Sequence, residues 1–140
     1  PIFVASVRST NAQVYSVLKT TFNGSTSGYS YKIFEGNGSS ASTGNNSSLT
    51  YFPWNEGTGA SATANTFGNA ELYIPNYAGS TYKPFSNFGT AENNSSTTYK
   101  MGVNALLWSD TTAISSLVLT GDGYNFVSGS SFFLYGIKNS

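Results

Sequence analysis

The chain has 140 residues, of which six are basic and six acidic, so its net charge at pH 7 is zero. So few cations exclude a basic stripe for nucleic acid and an electrostatic attraction to a membrane surface, and we expect neither partner. The sequence contains no histidine and no cysteine, which removes the usual general base, thiol chemistry and two common metal ligands. We therefore predict a protein that is not an enzyme and that binds no cofactor and no metal.

Short runs rich in β-branched and aromatic residues recur along the chain, separated by clusters of Gly, Asn and Ser. Such runs predict strands, and no stretch keeps a helical period for long. Asn23-Gly24 is a strong signal for a hairpin turn. In the first run, Ile2 and Val4, together with Phe3, are expected to face the core. The predicted strands are residues 2–8, 13–21, 29–35, 49–54, 70–74, 97–108, 114–119 and 131–137.

Three stretches add detail to this pattern. Residues 39–48 consist only of Ser, Gly, Asn, Ala and Thr, which predicts an exposed loop. Pro53 cannot donate to a hydrogen-bond ladder, so residues 49–54 favour a short edge strand. Within residues 97–108, strict alternation places one set of side chains on a single face. That set is Tyr99, Met101, Val103, Ala105 and Leu107.

This arrangement predicts an all-β fold with little or no helix. We expect an antiparallel, jelly-roll-like β-sandwich of about eight to nine strands, formed as a single domain by residues 1–140. Carboxylates are the acid–base groups that remain, and a glycosidase needs two of them across a cleft. No two lie close together in the sequence, and we interpret all six as solvated charges. They are Glu35, Glu56, Glu71, Glu92, Asp110 and Asp122.

Aromatic residues make up 16% of the chain, and some of them are candidates for a contact surface. Trp54, next to a proline at a strand end, is a candidate platform for sugar stacking, with core packing as the alternative. Tyr77, Tyr82, Phe85 and Phe88 fall in an irregular segment that is hard to bury in a small sandwich. The alternative for this group is a satellite core under a long loop. Together these five residues form the predicted protein interface.

Two stretches resemble structural proteins of tailed bacteriophages. Residues 69–83 contain the strand end Ile74-Pro75-Asn76-Tyr77, and residues 113–137 end in a pattern close to "GSxFxLYGI", from Gly129 to Ile137. In that family the two patterns occur in the same order. The resemblance implies a jelly-roll-like sandwich with a role in particle assembly, and it assigns no catalytic residue.

Tail fibres usually carry a long N-terminal shaft, and this sequence shows none, which favours a capsid decoration or cement protein. The resemblance then implies that the chain binds the major capsid protein on the capsid surface of the virion, after assembly in the host cytoplasm. It also implies a homo-oligomer, most often a trimer. Two alternatives remain open, a tail fibre or receptor-binding tip and a carbohydrate-binding module with a bound glycan.

Overall fold

The computed structural model describes residues 1–94 and 100–137, without the side chain of Asn55. These residues form ten strands and no helix, so none of them could cross a membrane as a helix. The predicted all-β fold is confirmed, with slightly more strands than expected. The strands are β1 (Ile2–Val7), β2 (Tyr15–Phe22), β3 (Tyr29–Gly36), β4 (Ala41–Leu49), β5 (Phe52–Thr58), β6 (Gly68–Tyr73), β7 (Lys83–Thr90), β8 (Met101–Trp108), β9 (Leu117–Gly121) and β10 (Ser131–Tyr135).

The strands build two antiparallel sheets of unequal size that pack into a sandwich. The larger sheet has seven strands in the order β10-β1-β6-β7-β8-β3-β4, and the smaller has three in the order β5-β2-β9. The predicted edge position near Pro53 is confirmed, because β5 lies at one edge of the smaller sheet. Three strands cover only part of the inner face of seven.

The turn at Asn23-Gly24 is confirmed. Asn23 (φ 51°) and Gly24 (φ 69°) both adopt the left-handed conformation, which the tight turn between β2 and β3 requires. The Asn23 side chain also accepts hydrogen bonds from the backbone N–H groups of Ser115 (2.8 Å) and Ser116 (3.1 Å). One asparagine therefore shapes its own turn and holds the segment that leads into β9.

The expected loop at residues 39–48 is wrong, because most of it forms β4, which pairs antiparallel with β3. The turn before it is closed by the Asn37 side chain, which accepts hydrogen bonds from the N–H groups of Ser39 (3.0 Å) and Ser40 (2.9 Å). Strand β3 offers unpaired backbone groups at its free edge, and pairing with them satisfies the backbone of β4 whatever its side chains are. Composition alone does not reveal such an edge strand.

The core between the sheets is aromatic. Phe22 packs edge-on against Phe85, with ring centroids 5.2 Å apart, and lies 5.6 Å from Trp108. The Trp54 indole donates a hydrogen bond of 2.7 Å to the Thr20 hydroxyl, so its one polar group is satisfied inside the core. Rings of this size contribute most of the buried apolar area of a small sandwich.

The expected inward direction of Ile2 and Val4 is wrong. In β1 the buried residues are Phe3, Ala5 and Val7, while Ile2 and Val4 are half-buried on the opposite face. Alternation fixes which residues share a face but not which face is covered. Packing of the Phe3 ring edge-on against Trp54, with ring centroids 5.8 Å apart, places Phe3, and not Ile2 or Val4, on the inward face.

Candidate interaction surface on the seven-stranded sheet

The first half of strand β8 directs its apolar residues away from the core, whereas Leu106 and Trp108 in the second half are buried in the core. Met101 and Val103 are exposed, whereas Gly102 and Asn104, on the other face of the strand, are buried. The alternating face identified in the sequence is therefore the outward face. Tyr99, assigned to the same face, lies outside the described residues. In this half of the strand the apolar side chains face solvent and Gly and Asn face inward, which reverses the ordinary arrangement of a sheet.

The inward glycines make room for the smaller sheet. Glu56 on β5 is only 2% exposed, so its interpretation as a solvated charge is wrong, and it lies against Gly89 and Gly102. A Cβ atom at Gly89 would lie 2.5 Å from Cγ of Glu56, and one at Gly102 would lie 3.3 Å from its Oε1. Strand β5 therefore approaches the larger sheet too closely for large side chains at these positions.

The buried asparagines on the same inner face are hydrogen-bonded. The Asn104 side chain donates to Oδ1 of Asn87 at 2.6 Å. The Asn87 side chain in turn donates to the backbone carbonyl of Glu71 at 3.1 Å. Buried amides with partners cost little, whereas buried amides without partners are strongly destabilising. The inner face can therefore be polar here without loss of stability.

On the outward side, one row of side chains crosses six neighbouring strands in register. The row is apolar at every position except Glu71, and it passes through the centre of the sheet. Neighbours in the row stand directly opposite each other, a position in which Cβ atoms are about 4.5–5.5 Å apart. From β3 to β10, the row is Phe34, Val103, Phe88, Glu71, Val4 and Phe133.

Large apolar side chains on this side form a surface that we call the outer face. Each is exposed by between 41% (Tyr73) and 59% (Phe34). At about 200 Å² for a fully exposed side chain of this size, they present roughly 700 Å² of mostly apolar surface. The largest apolar patch of a typical monomer is about 300–600 Å², and larger ones mark binding sites. The outer face consists of Phe34, Tyr73, Phe88, Met101, Val103, Phe133 and Tyr135.

Charge is sparse around the outer face. Of the strand residues that point outward, Lys32 on β3 and Glu71 on β6 carry the charge, one of each sign. A partner that covers the outer face would therefore meet mainly rings and aliphatic groups. Binding through such a surface depends on apolar area and shape, and salt screens it only weakly.

The structure separates the five predicted interface residues into three groups. Trp54 (0% exposed) and Phe85 (5%) belong to the core, so their place in the predicted interface is wrong, and the core packing considered for Trp54 is confirmed. Both pack against Phe52, whose ring centroid lies 6.2 Å from that of Trp54 and 5.6 Å from that of Phe85. Because β5 covers this part of the larger sheet, neither residue can offer a platform to a sugar.

The other predicted residues are exposed, but they lie in different places. Phe88 lies in the outer face, between Val103 and Glu71. Tyr77 and Tyr82 are exposed in the connection between β6 and β7. Tyr77 also lines an open cleft of about 300 Å³, together with Ile114, Leu134 and Ile137. The predicted residues therefore do not form one patch.

Sequence reasoning missed most of the outer face. Its signal was present as strands with large apolar residues at consecutive positions, such as Phe133-Leu134-Tyr135 in β10. Such a strand has an apolar side chain on each face, and only one of these faces can belong to the core of a two-layer domain. The sheet to which the strand belongs decides which one.

The charged side chains have structural partners or lie at the surface. Lys19 and Asp122 form an ion pair at 2.5 Å, and this hydrogen bond raises the pKa of Lys19 above its ordinary value. Lys100 pairs with Glu35 at 3.4 Å. Hydrogen bonds from Thr112 lower the pKa of Asp110 below its ordinary value. Within the described residues, no cluster of three or more His, Cys, Asp or Glu side chains could hold a metal ion.

No protein-family model, curated protein or solved structure matches the chain. The outer face, an apolar surface of this size behind the buried Asn87 and Asn104, is the feature on which a functional proposal can rest.

Proposed function

We propose that the chain is a structural protein of a tailed-bacteriophage particle. In this proposal it is a decoration or cement protein that binds the major capsid protein on the capsid surface. The outer face carries the proposal, because a monomer gains nothing from turning rings outward while it buries Asn87 and Asn104. The face is explained if it is covered in the functional assembly.

The resemblance to phage structural proteins supports the same surface. The two resembling stretches, residues 69–83 and 113–137, include Tyr73, Phe133 and Tyr135 of the outer face. In the folded chain these three side chains lie on β6 and β10, the two strands that flank β1. Both stretches that resemble phage structural proteins therefore contribute side chains to the proposed contact.

A sheet face is a suitable contact for a shell protein. Most of its side chains are held by strands that pair on both sides. Rings have few rotatable bonds, so binding freezes little side-chain motion. Any partner that binds only one state of a shell stabilises that state by mass action. Binding across neighbouring capsid subunits would in this way oppose expansion or loss of the shell.

The test is co-sedimentation of the purified protein with empty shells of the phage that encodes it. We expect saturable binding that persists in high salt, because the outer face is nearly uncharged. The Val103→Lys variant, which places an ammonium group in the outer face, is expected to bind at least about tenfold more weakly. The matched control is Val118→Lys. Val103 is 50% exposed and Val118 47% exposed, but Val118 lies on β9 of the smaller sheet.

Two results would contradict the proposal. If the wild-type chain did not sediment with shells, or sedimented only with tails, a role in capsid decoration would be refuted. If Val103→Lys and Val118→Lys bound equally, the outer face would not be the contact. Melting curves of both variants show whether each one folds, so that a loss of binding is not mistaken for a loss of structure.

A further inference from the structure

Strand β10 is an edge strand without the usual protection. Within the described residues it pairs only with β1, so its second backbone edge is open. Its side chains are apolar on both faces, and all of Phe132, Phe133, Leu134 and Tyr135 are exposed by 40% or more. Exposed apolar edges of this kind act as templates for pairing with another strand.

The other edges of the two sheets are protected. Strand β4, at the far edge of the larger sheet, consists of small polar residues apart from Ala41 and Leu49, and its pairing with β3 is interrupted by a register shift. Strand β5 carries Pro53 and a second register shift. Strand β9 exposes one large apolar side chain, Val118, where β10 exposes four. The open apolar edge is therefore concentrated in β10.

We propose that β10 pairs antiparallel with β10 of a second copy of this chain, about a two-fold axis at Phe133. This register aligns all five residues of the strand with those of its mate. Phe133 faces its own copy, Phe132 faces Leu134 of the other copy, and Ser131 faces Tyr135. Every large apolar side chain of the strand gains a neighbour on the same face, which is the arrangement that stabilises antiparallel pairs. A two-fold contact of this kind closes after two copies.

The size of the contact sets its strength. The four exposed β10 side chains offer roughly 400 Å² per copy, at about 200 Å² for each fully exposed side chain. Stable interfaces bury about 800 Å² per partner. The β10 contact offers about half of that area, so we expect a weak dimer that forms reversibly. Pairing would join two seven-stranded sheets edge to edge, and the two outer faces would become one surface. The resulting assembly is a dimer, which differs from the trimer expected from the sequence.

Disulfide trapping tests the register, because the chain has no cysteine of its own. In the Phe133→Cys variant the two sulfur-bearing residues stand directly opposite, with Cα atoms about 4.5–5.5 Å apart, which permits a disulfide. Ser131→Cys is the matched control on the same face of the strand. In the proposed register the two substituted residues of the dimer would be offset by four residues along the strands, about 13 Å, which is too far for a disulfide. Under mild oxidation we expect a cross-linked dimer from Phe133→Cys and only background from Ser131→Cys.

Sedimentation velocity provides the second measurement, on the wild-type chain without any shell. The mass should rise from one chain to two as the concentration increases. Leu134→Lys, at a position 64% exposed, should fold normally and raise the dissociation constant of the dimer at least about tenfold. A monomer at all concentrations, a trimer, or equal cross-linking of both cysteine variants would overturn the pairing. None of these measurements uses a shell, so failure of the pairing and failure of the proposed function are distinguishable.

Discussion

Phe85 and Phe88 lie on opposite faces of the same strand, so the core and the outer face can be compared with one kind of side chain. Both are phenylalanines of β7, three residues apart, but Phe85 is 5% exposed and Phe88 46% exposed. Phe85 packs in the core against Phe22 and Phe52, with ring centroids 5.2 and 5.6 Å away. Phe88 lies in the outer face between Val103 and Glu71. We predict that Phe85→Ala mainly lowers the stability of the fold, whereas Phe88→Ala mainly weakens binding to shells.

The magnitudes follow from burial. Phe85→Ala removes a buried ring and should lower the free energy of unfolding by about 3–5 kcal/mol. Phe88→Ala loses only contacts across strands, and should lower it by about 1 kcal/mol or less. For binding, the exposed part of Phe88 is about 90 Å², which at about 25 cal/mol per Å² corresponds to about 2 kcal/mol. Affinity for shells should therefore fall roughly thirtyfold.

Urea denaturation at pH 7 measures the free energy of unfolding of both variants, and co-sedimentation with shells measures the affinity. Phe85→Ala should bind with nearly wild-type affinity wherever it remains folded, because its ring does not reach the outer face. The reasoning fails if Phe88→Ala loses as much stability as Phe85→Ala. It also fails if removing the Phe88 ring leaves binding unchanged.

Further predictions concern the inner face and the core. Gly89→Ala should lower stability by about 1–3 kcal/mol in thermal or urea melts, because the added Cβ would meet Glu56. Gly136→Ala, where nothing lies within 4 Å, is the control and should change stability by less than about 0.5 kcal/mol; equal effects would refute the tight packing of β5. Tyr29→Phe should lower the free energy of unfolding by about 1–3 kcal/mol at pH 7, because the phenol oxygen accepts a buried hydrogen bond of 2.8 Å from the Phe22 N–H. Burial raises the pKa of Tyr29 above its ordinary value of 10.0, so the folded state holds this proton more tightly than the unfolded state. The corresponding stability is present below pH 10 and is lost as the pH rises through the folded pKa, and a pH series of melts should show a smaller alkaline loss in Tyr29→Phe.

Local chemistry determined a large part of the fold. Asn23-Gly24 encodes a left-handed turn by itself, since few other pairs tolerate positive φ at both positions. Runs of β-branched and aromatic residues determined where the larger strands lie, because side chains of this shape suit a pleated surface. Alternation likewise determined that Met101 and Val103 share a face of β8. The scarcity of charge also follows directly from the sequence.

Tertiary structure decided which faces are covered. The larger sheet buries Asn104 and exposes Val103 because β5 passes close to Gly89 and Gly102, an approach between segments far apart in the sequence. Trp54 is buried for a related reason, since the packing of the two sheets covers its ring with strands from both of them. Pairing of β4 also depended on its neighbour, because an edge strand takes its hydrogen bonds from the strand beside it. A strand with period two carries two faces in its sequence, and only the packing of distant strands determines which of them meets solvent.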